Sequence, residues 1–425
     1  MSSTDALLER RFRVLGPKAP LFYERPLHLV RGEDVWLWDD EGRRYLDAYN
    51  NVPHVGHCHP HVVEAIARQS ALLNIHTRYL HEGIVAYAER LIATFDPSLS
   101  MLMLACTGSE ANELALRIAN VTTGGAGVIC TNFAYHGNTK AVAQISTVFP
   151  PPEGFGPHIR AIPPPDAYRG LRGLTGDALE DAYVSEVRLA IESLQANGIQ
   201  LAAMLICTLF SSEGLPNVPP GFMRRVVELV HNAGGLYIAD EVQGGFGRTG
   251  RYMWGHEQYS VVPDLVTLGK PMGNGHPISG VVGRADLIQK FTDRTMYFNT
   301  FAGNPVSCAA ANAVLDVLER EQLQANARIV GDYVVAGLQR LASRHPIIGD
   351  VRGKGMFFAV ELVSDRGTRE PATAEAQRII NAMRENGVLI SRIGPHDNVL
   401  KIRPPMPFAQ AHADLLLDTL DRVLA

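Results

Sequence analysis

Lys270 and Asp240 are the two residues of this sequence whose types and positions best suit chemistry. Lys270 closes the apolar segment 264–268 and opens a glycine-rich loop, and Asp240 ends the apolar segment 236–239 thirty positions upstream. If both segments are neighbouring strands, the amine and the carboxylate lie at one edge of a sheet. Such a pair suits pyridoxal phosphate, which joins a lysine as a Schiff base and needs a carboxylate to keep its ring nitrogen protonated. The alternative is that Lys270 only marks where the chain reaches water.

A phosphate site is predicted where the segment 106–115 passes from an apolar strand through Thr107, Gly108 and Ser109 into a good helix former. The backbone amides and the dipole at the start of a helix attract anions, so this turn would hold the cofactor phosphate. The alternative is an ordinary strand-to-helix turn with Ser109 as the N-cap.

Three further residues follow strand ends from which they could contact a cofactor ring. Tyr135 comes shortly after the apolar segment 127–131, and its ring would lie on one face of the cofactor or pack in the core. Val242 would cover the other face, and Gln243 would reach the phenolic oxygen, because both closely follow Asp240.

The elements that must position these residues alternate between short apolar segments and helical stretches. This pattern indicates a mainly parallel sheet that is covered by helices on both faces, with function at the carboxyl ends of the strands. The predicted strands are residues 102–106, 127–131, 201–208, 235–239, 264–268 and 278–282. A hairpin is predicted over residues 35–46, around an acidic turn that contains a glycine.

The chain after residue 305 has a mixed pattern that predicts a second, smaller α/β domain. The predicted elements are one long helix over 306–341, strands over 347–352, 357–362 and 400–403, and a helix over 374–386.

The predicted domain organisation has three parts. Residues 1–60 form an N-terminal segment that contributes to the small domain, residues 61–310 the large cofactor-binding domain, and residues 311–425 the small domain. The stretch 150–157 is rich in proline and glycine, but predicted strands of one sheet flank it. We therefore interpret it as an excursion loop.

The composition is ordinary for a globular protein, with 46% hydrophobic and 20% charged residues. The 39 basic and 44 acidic residues form no basic cluster, which argues against a nucleic-acid partner. The longest apolar run, 201–210, is too short to span a membrane, and the N-terminus lacks the features of a targeting peptide, so we expect a cytoplasmic protein. The five cysteines are odd in number and scattered, which predicts reduced thiols.

His54, His57, His59 and His61 suggest a rival interpretation, a metal site. Pro60 interrupts this run, and the spacing of nearby acids and cysteines does not match a zinc site. We therefore predict hydrogen-bonded histidines in a loop and no metal. The glycines of residues 244–250 do not indicate dinucleotide binding, because no helix start and no acidic ribose ligand follow them.

Several segments, in the same order along the chain, resemble the class III pyridoxal-phosphate-dependent aminotransferases of fold type I. These segments are residues 107–112, 135–137, 239–248, the Lys270 loop, 299–305 and 352–355. The resemblance spans nearly the whole chain. It implies an α/β fold with a mainly parallel seven-stranded sheet in the large domain, a smaller α/β domain, and pyridoxal 5'-phosphate as the cofactor.

The resemblance also implies roles for individual residues. Lys270 resembles the Schiff-base lysine, and Asp240 the partner of the pyridine nitrogen. Gln243 resembles the ligand of the phenolic oxygen, and Tyr135 the stacking aromatic residue.

Other roles implied by the resemblance concern anions. Gly108 and Ser109 match the phosphate loop. Thr300 matches a threonine that reaches the cofactor phosphate of the neighbouring subunit, which implies a homodimer with shared active sites and leaves a tetramer open. Glu213 and Arg403 fall where such enzymes keep a glutamate that gates a carboxylate-binding arginine.

The sequence departs from the common aminotransferase pattern after the 201–208 segment, where Glu-Pro is usual and residues 208–213 read Thr-Leu-Phe-Ser-Ser-Glu. The segments 50–60, 269–277, 297–308, 345–353 and 400–406 look like the ethanolamine-phosphate phospho-lyases. That likeness implies elimination of phosphate from O-phosphoethanolamine to give acetaldehyde, ammonia and inorganic phosphate. An ω-aminotransferase that uses a keto acid such as pyruvate is the alternative. A homologue without activity would need to have lost Lys270 or Asp240.

A phospho-lyase needs a second anion site for the phosphate of its small phosphorylated amine substrate. The candidates are Arg403, Arg78 and His54, and we rank Arg403 above Arg78. Each arginine could instead be a structural ion-pair partner. The sequence leaves open whether the substrate is O-phosphoethanolamine or a longer phosphorylated amine.

Overall fold

The strands form three sheets within residues 3–425, the part of the chain that the computed structural model describes. In chain order the strands are β1 (Leu29–Glu33), β2 (Trp36–Asp39), β3 (Arg44–Asp47), β4 (Leu99–Ala105), β5 (Gly127–Thr131), β6 (Ile159–Ile162), β7 (Leu201–Cys207), β8 (Leu236–Asp240), β9 (Leu265–Leu268), β10 (Ser279–Arg284), β11 (Ile348–Lys354), β12 (Phe357–Asp365), β13 (Glu370–Pro371), β14 (Val388–Leu389), β15 (Ser391–Ile393) and β16 (Val399–Ile402). The α-helices are α1 (Ser3–Leu15), α2 (Pro60–Leu72), α3 (Glu82–Ile92), α4 (Gly108–Thr123), α5 (Lys140–Ala143), α6 (Gly176–Ala196), α7 (Phe222–Asn232), α8 (Ala285–Thr292), α9 (Pro305–Arg320), α10 (Leu323–Arg344), α11 (Thr373–Glu385) and α12 (Gln410–Leu424).

The large sheet has seven strands in the order β4-β10-β9-β8-β7-β5-β6. Strand β10 runs antiparallel to both of its neighbours, and the other pairs are parallel. Every residue of β5, β7, β8 and β9 is buried, because helices cover both faces of the sheet. The predicted α/β fold with a mainly parallel seven-stranded sheet is confirmed.

The stretch 150–157 connects β5 and β6, which are parallel neighbours in the large sheet. It is therefore an excursion between two strands of one sheet, as predicted. Strand β6 itself was not predicted, because four residues with one apolar residue at each end give too weak a pattern.

The N-terminal strands pair with a strand from far along the chain. Strands β2 and β3 form the predicted antiparallel hairpin, and β14 adds to β3 in parallel. A further sheet has the order β11-β12-β16-β15, with β13 paired to β12. The division into residues 1–60, 61–310 and 311–425 stays a prediction.

The predicted single helix over 306–341 is wrong, because two helices, α9 and α10, occupy this region. The chain changes direction at Gln322, whose backbone is left-handed with φ 52°. Residues 306–330 contain neither glycine nor proline, so the local sequence carries no signal for the break. The break lets α9 pack on α2 and α3 while α10 packs on β11 and α12.

No helix within residues 3–425 combines the length and the apolar character that crossing a bilayer requires. The cytoplasmic location stays a prediction.

Candidate active site

A cavity at the carboxyl ends of the central strands brings most of the predicted cofactor residues together. Parallel strands end at the same edge of their sheet, so the side chains that follow them converge. The cavity is lined by Gly108, Ser109, Tyr135, His136, Gly137, Cys207, Asp240, Val242, Gln243 and Lys270. The roles predicted for these residues stay predictions, but their proximity is a feature of the structure.

One wall of the cavity is the first turn of α4. Thr107 is the N-cap, and its hydroxyl accepts a hydrogen bond from the Glu110 amide at 3.2 Å. The Glu110 carboxylate accepts from the amides of Thr107 and Cys106, which completes a capping box. Ser109 as the N-cap is therefore wrong.

Ser109 is instead placed to meet an anion. Its Oγ accepts a hydrogen bond from the Asn138 amide at 3.2 Å, so its own hydroxyl hydrogen stays available for another acceptor. A β-carbon at Gly137 would lie 2.4 Å from Ser109 Oγ, and the φ of Gly137 is +140°. Only glycine fits this close approach. The turn is thus a cradle at a helix N-terminus that is suited to an anion, and its role as the phosphate loop stays a prediction.

Asp240 lies at the base of the cavity, 3% exposed, within a set of hydrogen bonds. Its Oδ2 accepts from Asn112 Nδ2 at 3.1 Å and lies 2.7 Å from His136 Nδ1, and its Oδ1 accepts from the Val242 amide at 3.0 Å. Asn112 is itself fixed, because its Oδ1 accepts from the Thr267 hydroxyl at 2.7 Å. These partners offset the cost of burying a carboxylate.

His136 has a buried polar atom that lacks a partner among the described residues. This atom is Nε2, and His136 lines the cavity. A buried polar atom without a partner is costly unless a ligand supplies one.

Lys270 is mostly buried, and its pKa lies below the usual lysine value. Burial is the main cause, the nearby Arg403 cation adds to it, and Asp240 acts in the opposite direction. A lower pKa increases the neutral fraction of the amine, which is the form that attacks a carbonyl or takes up a proton.

Gln243 is held between two other side chains. Its Nε2 donates to Ser211 Oγ at 2.5 Å, and its Oε1 accepts from Arg403 Nη1. Because an amide nitrogen carries two hydrogens, Gln243 can still donate one of them to a ligand. Arg403 also donates through Nε to the Tyr49 carbonyl at 3.0 Å.

Glu213 and Arg403 have separate hydrogen-bond partners among the described residues, and the gate between them stays a prediction. Glu213 accepts hydrogen bonds from the Thr131 hydroxyl at 2.5 Å and from the Ser212 amide at 3.0 Å. Burial raises the pKa of Glu213 and so favours its neutral form. No ion pair among the described residues joins this carboxyl to Arg403.

Besides Glu213 and Arg403, three predicted residues do not line the cavity. His54 is fully buried, with Nε2 2.8 Å from the Phe246 carbonyl oxygen and Nδ1 3.1 Å from Arg248 Nη2. Burial and the Arg248 cation lower the pKa of His54, so a neutral imidazole with both nitrogens engaged is a poor anion ligand. Arg78 is exposed, with its guanidinium carbon 3.8 Å from the centroid of the Phe298 ring, and Thr300 is exposed.

The other histidines of the predicted loop each meet a different carboxylate. His57 lies 2.7 Å from Asp47, His59 lies 3.0 Å from Glu321, and His61 lies 2.8 Å from Asp316. They are thus engaged in separate hydrogen bonds.

The site also contains Asn112, His136, Cys207 and Ser211, for which no sequence motif predicted a role. Asn112 stands on the buried face of α4 among apolar residues, which is a signal for a buried polar network. Cys207 ends β7 beside Asp240, and only the pairing of the strands shows this.

The described residues fit pyridoxal phosphate. The α4 cradle suits its phosphate, Asp240 its ring nitrogen, Gln243 its phenolic oxygen and Lys270 its aldehyde.

Comparison with known proteins agrees with this assignment. The sequence matches the family described as Aminotransferase class-III over residues 22–424. An "Alanine-glyoxylate aminotransferase 2-like" protein of Drosophila melanogaster is 41% identical, over 98% of this chain and 86% of that protein. "Ethanolamine-phosphate phospho-lyase homolog 1" of Caenorhabditis elegans is 37% identical, over 99% of this chain and 94% of that protein.

Solved structures are also similar. A phospholyase from Arthrobacter in complex with phosphoethanolamine has a TM-score of 0.96 and 50% identity, with 98% of this chain and 99% of that chain covered. An (S)-enantioselective omega-transaminase from Thermomicrobium roseum has a TM-score of 0.88 and 29% identity, with 100% and 99% covered. The chain therefore belongs to the class III aminotransferase family, and its cofactor is pyridoxal phosphate.

Proposed function

We propose that this enzyme eliminates phosphate from O-phosphoethanolamine and gives acetaldehyde, ammonia and inorganic phosphate. The observation that carries the proposal is the similarity to the Arthrobacter phospholyase that binds phosphoethanolamine, at 50% identity over almost the full length of both chains. The name of the Caenorhabditis elegans relative supports the same reaction.

Lys270 is the base of the proposed reaction. Pyridoxal phosphate, when bound, supplies a protonated ring that draws electrons away from the carbon next to the substrate nitrogen. Lys270 then takes a proton from that carbon, and its lowered pKa makes the neutral amine available. Asp240 holds the ring nitrogen in its protonated form through the buried network described above.

The phosphate leaves from the adjacent carbon. The carbon–oxygen bond breaks, and its electron pair departs with the phosphate, which is stable as a dianion because its second pKa is about 6. Water then converts the two-carbon product into acetaldehyde and ammonia. One substrate and one water thus give one molecule each of aldehyde, ammonia and phosphate.

The surroundings of Arg403 support elimination. In the aminotransferase pattern that the sequence resembles, a glutamate gates this arginine. Here Glu213 is bonded to Thr131 and Ser212, while Arg403 is bonded to Gln243 and Tyr49. An arginine that is not paired with a carboxylate is free to meet an anionic substrate.

The second candidate is amino transfer from an amine to a keto acid such as pyruvate. The aminotransferase names of relatives at 41%, 40% and 33% identity favour it. Both reactions use the proton removal by Lys270, so they differ only in the steps after it.

A direct test is to incubate the purified holoenzyme with O-phosphoethanolamine in the absence of any keto acid. We expect continuing release of inorganic phosphate and acetaldehyde in equal amounts. Amino transfer predicts a single turnover that leaves the cofactor as pyridoxamine phosphate, releases no phosphate, and resumes when pyruvate is added. Longer phosphorylated amines such as phosphohydroxylysine, assayed in parallel, define the substrate class.

We also propose a homodimer in which Thr300 completes the site of the neighbouring subunit. Thr300 is exposed and does not line its own cavity. Met296 and Phe301 in the same loop are 81% and 72% exposed, which is typical of an interface.

The shared site is tested by mixing subunits. Lys270→Ala and Thr300→Arg are each expected to be inactive. A hybrid dimer contains one subunit of each variant, so one of its sites carries both changes and the other carries neither. Mixing should restore activity, and each hybrid dimer should reach up to half the activity of a wild-type dimer. Differently tagged subunits show whether exchange has occurred. Exchange without recovered activity would contradict the proposal, and light scattering separates a dimer from a tetramer.

A further inference from the structure

A second buried cation, Lys401, lies next to Arg403. Lys401 is in β16 and Arg403 follows its end, so the alternation of side chains along the strand places both on the same side. Lys401 is 5% exposed and Arg403 is 8% exposed. Because Arg403 contacts the cavity residue Gln243, the same side of the strand faces the cofactor region.

Lys401 is buried without a carboxylate partner. None of the ion pairs within residues 3–425 includes it, and its Nζ lies 5.6 Å from the centroid of the Phe357 ring. A buried ammonium without a counter-charge is costly, because it gives up its hydration without a compensating anion. Burial therefore favours the neutral amine, and an anionic ligand that supplies the missing partner favours the charged form.

The electrostatic surroundings of Lys401 belong to the active site. Burial lowers its pKa most, the Arg403 and Lys270 cations lower it further, and Cys207 and Glu213 act in the opposite direction. Lys270 and Cys207 line the cavity. Glu213 gives little compensation, since burial raises its own pKa and its oxygens accept from Thr131 and Ser212.

We propose that Lys401 and Arg403 together form the subsite for the substrate phosphate, and that Lys401 selects a dianion over a carboxylate. This inference rests on the proposed function, because it assigns the group that the phosphate of the substrate meets. One arginine matches the single charge of a carboxylate. Arg403 and a protonated Lys401 match a phosphate dianion, whose two charges favour the protonated form of Lys401 more than the single charge of a carboxylate does.

The test compares three variants of the holoenzyme, in which the cofactor occupies its own phosphate site. Lys401→Met removes the charge at similar length, and Lys401→Arg restores it. Lys354→Met is the matched control, because Lys354 is another partly buried lysine, and its Nζ already donates to Gln258. Calorimetric titration with inorganic phosphate and with acetate measures anion binding without turnover.

We expect Lys401→Met to weaken phosphate binding by at least about 30-fold, the effect of losing one member of a buried charge pair. Acetate binding should change less, Lys401→Arg should recover most of the phosphate affinity, and Lys354→Met should leave it unchanged. With O-phosphoethanolamine, KM should rise more than kcat falls. If Lys401→Met does not fold by circular dichroism, Lys401→Gln takes its place.

The outcomes separate this inference from the proposed function. If the wild-type enzyme releases phosphate but Lys401→Met binds phosphate as tightly, the inference is wrong and the proposed function stands. If the wild-type enzyme releases no phosphate yet binds it through Lys401, the proposed function is wrong and the subsite stands. Equal losses of phosphate and acetate binding would overturn the assigned selectivity.

Discussion

The charged and basic residues around Lys270 form two ends that are built in opposite ways. At one end, both oxygens of Asp240 have partners in Asn112, His136 and the Val242 amide. At the other end, outside the cavity lining, Lys401 and Arg403 are buried basic side chains without a carboxylate partner among the described residues. A fully bonded charge suits a group that stays in place, such as a cofactor ring. An uncompensated charge suits a ligand that arrives and leaves with each turnover.

The largest expected effect is that of Lys270→Ala, which removes the amine of the proposed base. Phosphate release should fall by a factor of about 10² to 10⁴, the usual contribution of a positioned base. A phosphate-release assay and the absorption spectrum of the bound cofactor provide the measurement. Lys290→Ala, at an exposed lysine, is the control, and similar activities for the two variants would remove Lys270 from the mechanism.

The next effect concerns the bonded end. Asp240→Asn keeps the shape of the side chain but removes its charge, and we expect phosphate release to fall by about 10²- to 10³-fold, as for other preorganised charges in active sites. Asp264→Asn is the matched control, because Asp264 is a buried carboxylate that bonds His231 and Arg284 instead of the cavity. The control should lose stability and keep the cofactor spectrum. An equal loss of rate in both variants would show that Asp240 matters only for folding.

A smaller effect is expected from Asn112, which holds Asp240 in place. Asn112→Ala removes one hydrogen bond to a charged group, worth about 1.5–3 kcal/mol, so we expect roughly a tenfold or larger decrease in rate. Asn112→Asp should be slower still, because it places a second carboxylate beside Asp240 Oδ2. The pH dependence of the cofactor spectrum should shift in both variants. If Asn112→Asp is the faster of the two, Asn112 does not act through the charge of Asp240.

The smallest expected effect concerns Lys354, and it shows what the burial of a lysine alone does to stability. Burial lowers the pKa of Lys354 to about 8. The folded protein therefore loses stability as the pH falls from the usual lysine pKa of about 10.4 through about 8, and is most stable above this window. Lys354→Met removes this dependence, so urea unfolding midpoints should favour the variant more at pH 7.5 than at pH 9.5. If the midpoints of the variant and the wild type differ by the same amount at both pH values, the lowered pKa of Lys354 does not cause the pH dependence.

The sequence was sufficient wherever a residue's position follows from a local pattern. Strand β5 occupies the predicted residues. Asp240 ends the buried parallel strand β8, and Val242 and Gln243 follow it, so all three line the cavity. The sequence was insufficient where a partner lies far along the chain. His54 contacts Phe246 and Arg248, and Glu213 contacts Thr131, so neither reaches the place that a motif suggested.

The break at Gln322 illustrates the same limit for secondary structure. A left-handed residue that is not glycine costs about 1–2 kcal/mol, and the local sequence gives no reason to accept that cost. Packing of α9 and α10 against different parts of the fold offsets it.

The sequence by itself determined which chemistry is possible here: a lysine, a carboxylate and a helix start, each placed by apolar strands that end at one edge of a sheet. Only the tertiary structure decided which charges are compensated. Asn112 and Asp240 are 128 positions apart, and Gln243 and Arg403 are 160 apart. Whether a buried charge is neutralised depends on neighbours within a few ångströms in space, and no local pattern encodes distances of that kind.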